Sequence, residues 1–490
     1  MKYLIDTNVF IPLEPTAPTE FEPLSSAAIV FAQKANRAGF PLFVHPAQTA
    51  DILSDMDEAR RAMRSALLGK YPTLPEPPSL AHVDRILGLV APDSHDWVDH
   101  QLLAALHGDA VDILITEDVG IHRKAKRLQL QQRVAYLAEA VTALDALCDT
   151  VPPALPAVDA IKAHNLNASD PIFESVRSKY AGFDDWLTKC KREHRQAWVV
   201  AAADQTYAGV SIVNREDRSD FAPNLKTLKI CMFKISDTHS GFRYGELLLR
   251  EVLQYAERNQ FGFLFVEVFP DQERLIAFLA EFGFSDLESG TGRGELRLGK
   301  RLTFSPEESA TTEPLEFNKR FGPFAMKWSD NSTFVVPIKP KYHDLLFPEA
   351  TMQAEFFEGR MPCGNALRKA YLCNAVCREI RPGAVLGFYR SEDVQGLTVL
   401  GVAEETIVSS DATKIARFVG KRTVYPLREI ERLCERDVLA ILFRQSRVRR
   451  SPIVLDKLLR NGIIAAAPQS ITKVATITAR KWLQAHSETP

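Results

Sequence analysis

Apolar and polar positions alternate along this chain in blocks that change period. Tyr3, Leu4 and Ile5 predict a short buried strand, and Asp6 stands at its end with Val9, Phe10 and Ile11 close behind. "PLFVHP" reads as a second strand, "DHQLLAALHG" as a helix opened by Asp99, and "VDILITED" as a third strand ending in acids. Strand and helix therefore alternate from Met1 to about Thr150, which predicts a parallel sheet covered by helices. The Pro-rich "VPPALPAVDA" (Val151 to Ala160) reads as a linker. A second alternating segment follows, to about Leu302. It holds the hairpin "QAWVVAAADQTYAGVSIV", the strand "TLKICMFKIS", the amphipathic helix "GELLLREVLQYAERN", the strand "FLFVEVF" and the helix "QERLIAFLAEFGF". "SPEESATTEP" (Ser305 to Pro314) reads as a second linker, and short strands with turn signals beyond it predict a small β-barrel. The expected fold class is multidomain α/β, with domains at residues 1–150, 161–304 and 330–490.

A chain of 490 residues exceeds one ordinary core, and 46% hydrophobic with 25% charged residues is the balance of a globular protein. The chain opens directly on a strand, which argues against a signal peptide, and no apolar run reaches the length of a membrane span. Cys373 and Cys377 form a C-x3-C without a second pair, so zinc is not expected and reduced thiols are. A cytoplasmic protein is the expectation. The net charge of −2 conceals an asymmetry: Asp411 to Pro490 holds 16 Lys and Arg against 7 Asp and Glu. A basic end on an acidic body points to an anionic partner.

Four carboxylates carry the first candidate chemistry. Asp6 and Asp118 end strands in the same sense, Asp51 follows the passage "FVHPAQTAD", and Asp99 begins a helix. Ligands of open α/β sheets bind beyond the carboxyl ends of strands. Like charges gathered there raise one another's pKa unless a cation neutralises them, and oxygen donors suit Mg2+ or Mn2+. Read singly, Asp99 is a helix cap and Asp6 and Asp118 are turn residues. Together, "LIDTNVFI", Asp51, "DHQLLAAL" and "ILITEDVGIHRKAKRL" resemble the PIN-domain nucleases over about 150 residues. The resemblance implies that Asp6, Asp51, Asp99 and Asp118 bind one or two divalent ions and cleave RNA. Asp51 stands where the family usually has Glu, and Asp96 competes with Asp99 for the third place. Thr7, Asn8 and Thr116 would supply supporting hydrogen bonds, and His122, Arg123, Lys124, Lys126 and Arg127 would hold phosphate or form a solvated face.

The second candidate is "KISDTHSGFRYGELLLREVLQYA", a strand, a turn with Gly241 and Gly245, and a helix whose free amides suit phosphate. The order of hairpin, strand, glycine turn, helix, strand and "AFLAEFGF" resembles the GNAT acetyltransferases over roughly 130 residues. The resemblance implies acetyl-CoA pyrophosphate on Ser240, Gly241, Arg243, Tyr244 and Gly245. Of the family's phosphate motif only the final glycine matches strictly. Leu279 stands where many members carry a tyrosine acid, and Gln272 where asparagine is customary. Glu267 is a candidate base or an exposed strand residue.

The last segment, through "FVVPIKPKYHDLLFPEA", "GNALRKAYLC" and "IRPGAVLGFYRS", resembles the ASCH branch of the PUA-like barrels over about Thr333 to Leu483. The resemblance implies RNA binding in a cleft lined by Asn365, Arg368, Lys369 and Tyr371; separately, "FRQSRVRRSP" gathers Arg444, Arg447, Arg449 and Arg450, a solvated surface or, given the local charge, a nucleic-acid contact. The leading expectation is a metal-dependent endoribonuclease, toxin-like or RNA-processing, with an antitoxin or other regulatory protein as a further partner. Two alternatives stand beside it: an acetyltransferase acting on RNA-bound or protein amines, and a non-catalytic, CoA-sensing RNA-binding regulator.

Overall fold

Side chains on the first strand point alternately into two apolar layers. Tyr3 and Ile5 of β1 (Tyr3–Ile5) pack with Val9, Phe10 and Phe31, while Leu4 packs with Leu102, Leu106 and Leu114 on the other face. Such a strand needs helices on both sides, which is the setting of a parallel sheet. A computed structural model describes the chain except residues 18–19, 21–22, 76–78, 149–157, 203, 217–220, 237–242, 289–293, 329–331, 351–366, 423 and 488–490. It divides into two compact units, Met1–Pro152 with Ser409–Asp437, and Pro153–Val408 with Val438–Pro490.

In the first unit, β2 (Leu42–Phe43), β1, β3 (Ile113–Ile115) and β4 (Val134–Ala135) lie in that order, all parallel. Ile5 is registered against Ile115, so the residues that follow both strands emerge side by side at one carboxyl edge. Sequence reading placed 330–490 in one module. Instead, the segment Ser409–Asp437 joins this unit, where Arg417 bonds Asp109 and Asp112 and Leu427 packs on the core. The basic stretch from Asp411 onward is therefore split between the units.

The second unit holds two sheets. Seven strands run β10 (Ser285–Asp286), β11 (Leu296–Arg301), β9 (Phe263–Val268), β8 (Thr227–Ile235), β7 (Tyr207–Glu216), β6 (Gln196–Ala201) and β5 (Val158–Lys162). All neighbours are antiparallel except β8 and β9. Helix Tyr244–Arg258 buries Leu248, Leu249, Val252 and Leu253 against this sheet. Gly209 of β7 lies under it, where a Cβ would stand 2.9 Å from Ile235 and 3.0 Å from Leu248. Six further strands run β13 (Arg368–Cys373), β16 (Val438–Val454), β15 (Gly396–Ser409), β14 (Val385–Arg390), β12 (Thr333–Ile338) and β17 (Thr472–Lys473). Where a small barrel was expected, the described pairings form an open order with β13 and β17 at its edges.

Most of the first expected linker, residues 151–157, lies outside the described residues, and the rest of both linkers carries structure. Val158–Lys162 pairs with β6, its alternation outweighing the prolines before it. Residues Pro306–Thr311 form a helix because Ser305 and Glu308 close a capping box. Buried lysines terminate other helices: Lys300 Nζ donates to the carbonyls of Lys319 (3.2 Å) and Arg320 (3.0 Å). Burial, with Arg444 nearby, holds the Lys300 amine well below its usual pKa.

A buried ion network joins the two sheets. Glu404 of β15 accepts from Arg368 Nε on both oxygens (2.9 and 3.0 Å) and from Arg444 Nη1 (2.8 Å). Arg368 also bonds Glu281, and Arg444 donates to the Glu281 carbonyl (2.9 Å). Removing one buried partner leaves the others uncompensated, so Glu404→Ala should cost about 3–5 kcal/mol. Urea unfolding measures this, and Asp456→Ala, which cuts an exposed pair with Arg460, should leave the midpoint nearly unchanged.

Candidate functional site

The carboxyl edge of the first sheet gathers four acids. Asp6 caps helix Thr7–Leu13 and is buried; its Oδ1 accepts from the Thr7 amide (2.7 Å) and its Oδ2 from Thr116 Oγ1 (2.6 Å). Asp51, in helix Gln48–Leu53, accepts from Thr7 Oγ1 (2.9 Å). Asp118 caps helix Val119–Arg127 and accepts from the Gly120 amide (2.5 Å). Asp99 does not open its helix: Ser94 caps helix His95–His107, which places Asp99 in the second turn, buried, with Lys124 Nζ donating to it (2.6 Å). Asp96 lies outward, 65% exposed, on the other side of Lys124. Asn8 and Thr116 tie the two strand ends together, as Asn8 Nδ2 donates to Thr116 Oγ1 (3.2 Å) and Asn8 Oδ1 accepts from the Glu117 amide (3.1 Å).

Sequence reading missed His95. Its Nδ1 lies 3.3 Å from Asp51 and its Nε2 3.5 Å from Asp118. The signal was available: His95 and Asp99 are four residues apart and so share a helix face. Burial, with repulsion from Asp99 and Asp51, pushes the Asp6 carboxyl up to about 7 despite its hydrogen bonds. Burial also raises Asp99, with Lys124 opposing. This donor set fits a divalent cation, which would relieve both. The basic run is partly committed elsewhere: Lys124 to Asp96 and Asp99, Arg127 to the Ile86 carbonyl, and His122 stacked on Tyr136 at 3.9 Å.

The second site lies in the seven-stranded sheet. β8 and β9 pair from Thr227 with Phe263 to Ile230 with Val266, and there their pairing stops. β8 runs on to Ile235 beside β7 after a register shift that skips Cys231, while β9 runs on beside β11. The two strands thus part after Ile230 and Val266, and on the β9 side Met232–Ile235 has no described strand pairing. Helix Tyr244–Arg258 begins just after this gap.

Of the residues assigned to the phosphate turn, Ser240 and Gly241 lie outside the described residues. Arg243, in left-handed backbone (φ 58°), gives its guanidinium to Glu246 instead of facing outward as a phosphate cation. Glu246 in turn accepts the amides of Leu367 (2.6 Å) and Arg368 (3.3 Å). Tyr244 is buried in the core. Gly245 sits in the first turn, where a Cβ would meet Phe278 at 3.5 Å in ordinary contact. Leu279 is buried in the core, whereas Phe278 lies beside Gly245 and stacks on Phe233 at 6.0 Å. Gln272 stands at the start of helix Glu273–Glu281. Glu267 is no free base. Burial would raise it, but Lys229 (2.5 Å) and Arg297 (3.1 Å) outweigh that and hold its carboxyl below the usual value.

The cleft expected to hold RNA differs most. Tyr371 is buried and its hydroxyl donates to the Pro337 carbonyl (2.5 Å), so it cannot stack on a base. Lys369 is fully buried, its amine bonding the Leu346 carbonyl and lying 3.7 Å from Glu349. Arg368 and Arg444 belong to the ion network, Arg447 pairs with Glu257, and Arg449 donates to the carbonyls of Ser451 and His486. Each residue reads as basic surface in sequence because charge counts do not register pairing. Asn365 and the Arg450 side chain lie outside the described residues.

Residues 162–284 match the family model of the acetyltransferase (GNAT) family, a domain that implies use of acetyl-CoA. No curated protein matches the chain. Among solved structures, it is similar to ASCH from Zymomonas mobilis, at 15% identity over 32% of this chain and 96% of that one, with a TM-score of 0.24. It is also similar to an acetyltransferase of the GNAT family from Staphylococcus aureus, at 13% identity over 30% and 100% of the two chains, TM-score 0.25. An N-acetyltransferase from the same organism shares 14% identity over 30% and 98%, TM-score 0.25. No described helix is long and apolar enough to cross a membrane.

The raised Asp6 carboxyl makes the first unit sensitive to pH. Its folded pKa of about 7 exceeds the ordinary 3.8, so the fold binds the proton more tightly than the unfolded chain does. This contribution is complete below the ordinary value and is lost as pH rises through about 7. In EDTA, urea unfolding of the first unit should show stability falling as pH rises from about 4 to about 7 and levelling above it, and Asp6→Asn should flatten that slope. An equal slope in both proteins would contradict the assignment.

Proposed function

We propose that this chain is an acetyl-CoA-dependent N-acetyltransferase acting on an amine of a protein or an RNA-bound substrate. The observation that carries the reading is the parted β8–β9 pair directly before the turn and helix Tyr244–Arg258, inside the matched GNAT segment. Acetyl-CoA supplies the activated acetyl group when bound. The main chain of Met232–Ile235 can pair with an extended amide-bearing arm as a neighbouring strand would. The amides at the start of helix Tyr244–Arg258 favour a pyrophosphate. Phe233 and Phe278 line the approach with apolar surface that excludes water. Leu279 has no ionisable group and Glu267 is held in two ion pairs, so another acid or water must protonate the leaving thiolate.

The carboxylate centre supports a second reading: a divalent-metal phosphodiesterase in the first unit, with RNA as its substrate class. Asp51, Asp99 and Asp118 would hold the ion, and Asp6, with both oxygens engaged, would sit behind them. A divalent ion there would lower the pKa of water and stabilise in-line attack on a phosphodiester. This reading does not rest on Arg368, Lys369 or Tyr371.

Gly245→Asp should weaken acetyl-CoA binding at least about tenfold by calorimetry, because it places a negative charge where the helix start favours an anion. Gly245→Ala, whose methyl makes ordinary contacts, should bind normally. No binding by the wild type would reject the reading. Binding without thiol release on any amine would leave a sensor instead of an enzyme. For the second reading, Asp118→Asn or EDTA should abolish RNA cleavage without changing acetyl-CoA affinity, and cleavage that persists in both would exclude it.

A further inference from the structure

We infer that the carboxylate centre is a mixed nitrogen–oxygen site, with His95 as a ligand, and that it selects Mn2+ or Zn2+ over Mg2+. The inference deepens the second reading and rests on it. Ligand atoms of His95, Asp99 and Asp118 all lie within 4.8 Å of one another. Ser94 fixes the start of helix His95–His107, and the four-residue spacing puts His95 and Asp99 on one face. Three carboxylates each have one oxygen pinned by the chain: Asp51 by Thr7, Asp99 by Lys124 and Asp118 by the Gly120 amide. For Asp51 and Asp118 the other oxygen is turned toward the imidazole, at 3.3 and 3.5 Å from its two nitrogens. Pinning of this kind orients donors before a cation arrives.

The donor set decides the metal. Mg2+ demands near-ideal octahedral oxygen coordination and keeps several waters. Imidazole suits first-row transition ions, and two or three carboxylates beside it leave the site open to Mn2+ and Zn2+. The imidazole is 71% exposed on its side chain, so it can turn one nitrogen into the cluster without disturbing the core. Asp51 and Asp118, each with one oxygen turned toward the imidazole, would hold the ion together with His95 and Asp99.

The test uses the full chain, stripped with EDTA and desalted, titrated separately with Mn2+, Zn2+ and Mg2+ by calorimetry. Wild type should bind Mn2+ at least about tenfold more tightly than Mg2+, and His95→Ala should erase that preference while leaving Mg2+ affinity unchanged. Pulsed electron paramagnetic resonance of bound Mn2+ should show nitrogen coupling in the wild type and none in His95→Ala. Asp118-dependent metal binding with no Mn2+ preference and no nitrogen coupling would overturn this inference and leave the second reading standing. No binding of any of the three ions, or binding indifferent to Asp118→Asn, would overturn both.

Discussion

Glu404, Arg368 and Arg444 form a desolvated charge cluster on which the geometry of the second unit depends. The two guanidiniums share one carboxylate, and each reaches on to Glu281, in the helix that follows β9. Burial alone would lower Arg368, yet Glu404, Glu281 and Glu246 around it raise its pKa, so the cation is retained. Buried charges in such a network tolerate few alternative arrangements, since each unpaired member carries a desolvation penalty of several kcal/mol, of order that of the whole fold. The main chain of Leu367 and Arg368 is fixed in the same stroke by Glu246, three residues after Arg243 at the start of helix Tyr244–Arg258. The helix start that faces the parted strands is therefore held from the other sheet. Arg243 serves that attachment, which explains why its charge is not offered to a ligand.

In the first unit the governing constraint is register. Parallel pairing of Ile5 with Ile115 sets Asp6 beside Thr116, and the two caps, Asp6 and Asp118, follow from helices that begin directly after strands. The acids are gathered because capping and strand ends coincide. Burial, with repulsion between the acids adding to it, raises Asp6 and Asp99, and a cation would relieve both. The two candidate sites belong to separate units of the chain, and each is built on its own sheet.

Local pattern made much of this legible. "YLI" and "ILI" lack polar positions, and acids at their ends marked the carboxyl edge. Ser305-x-x-Glu308 announced a helix that the surrounding prolines and polar residues obscured. Long-range pairing was not legible. Arg368, Lys369 and Tyr371 look like an RNA-binding strip, but β13 turns them toward Glu404, the Leu346 carbonyl and the Pro337 carbonyl. The surplus of positive charge after Asp411 told nothing of Ser409–Asp437 leaving for the first unit. The bulge at Cys231 and the parting of β8 from β9 depend on pairings between distant segments, which no single stretch encodes. In sequence Leu279 stands where a tyrosine is customary, but its burial, and the place of Phe278 beside Gly245, come from the helix packing.

The central claim is that acetyl-CoA lies in the gap where β8 and β9 part. Hydrogen–deuterium exchange of the full chain, with and without saturating acetyl-CoA, tests it most directly. The account predicts slowed exchange confined to Met232–Ile235 and the first turn of helix Tyr244–Arg258. Unchanged exchange across both segments, with the ligand bound elsewhere or not at all, would contradict it.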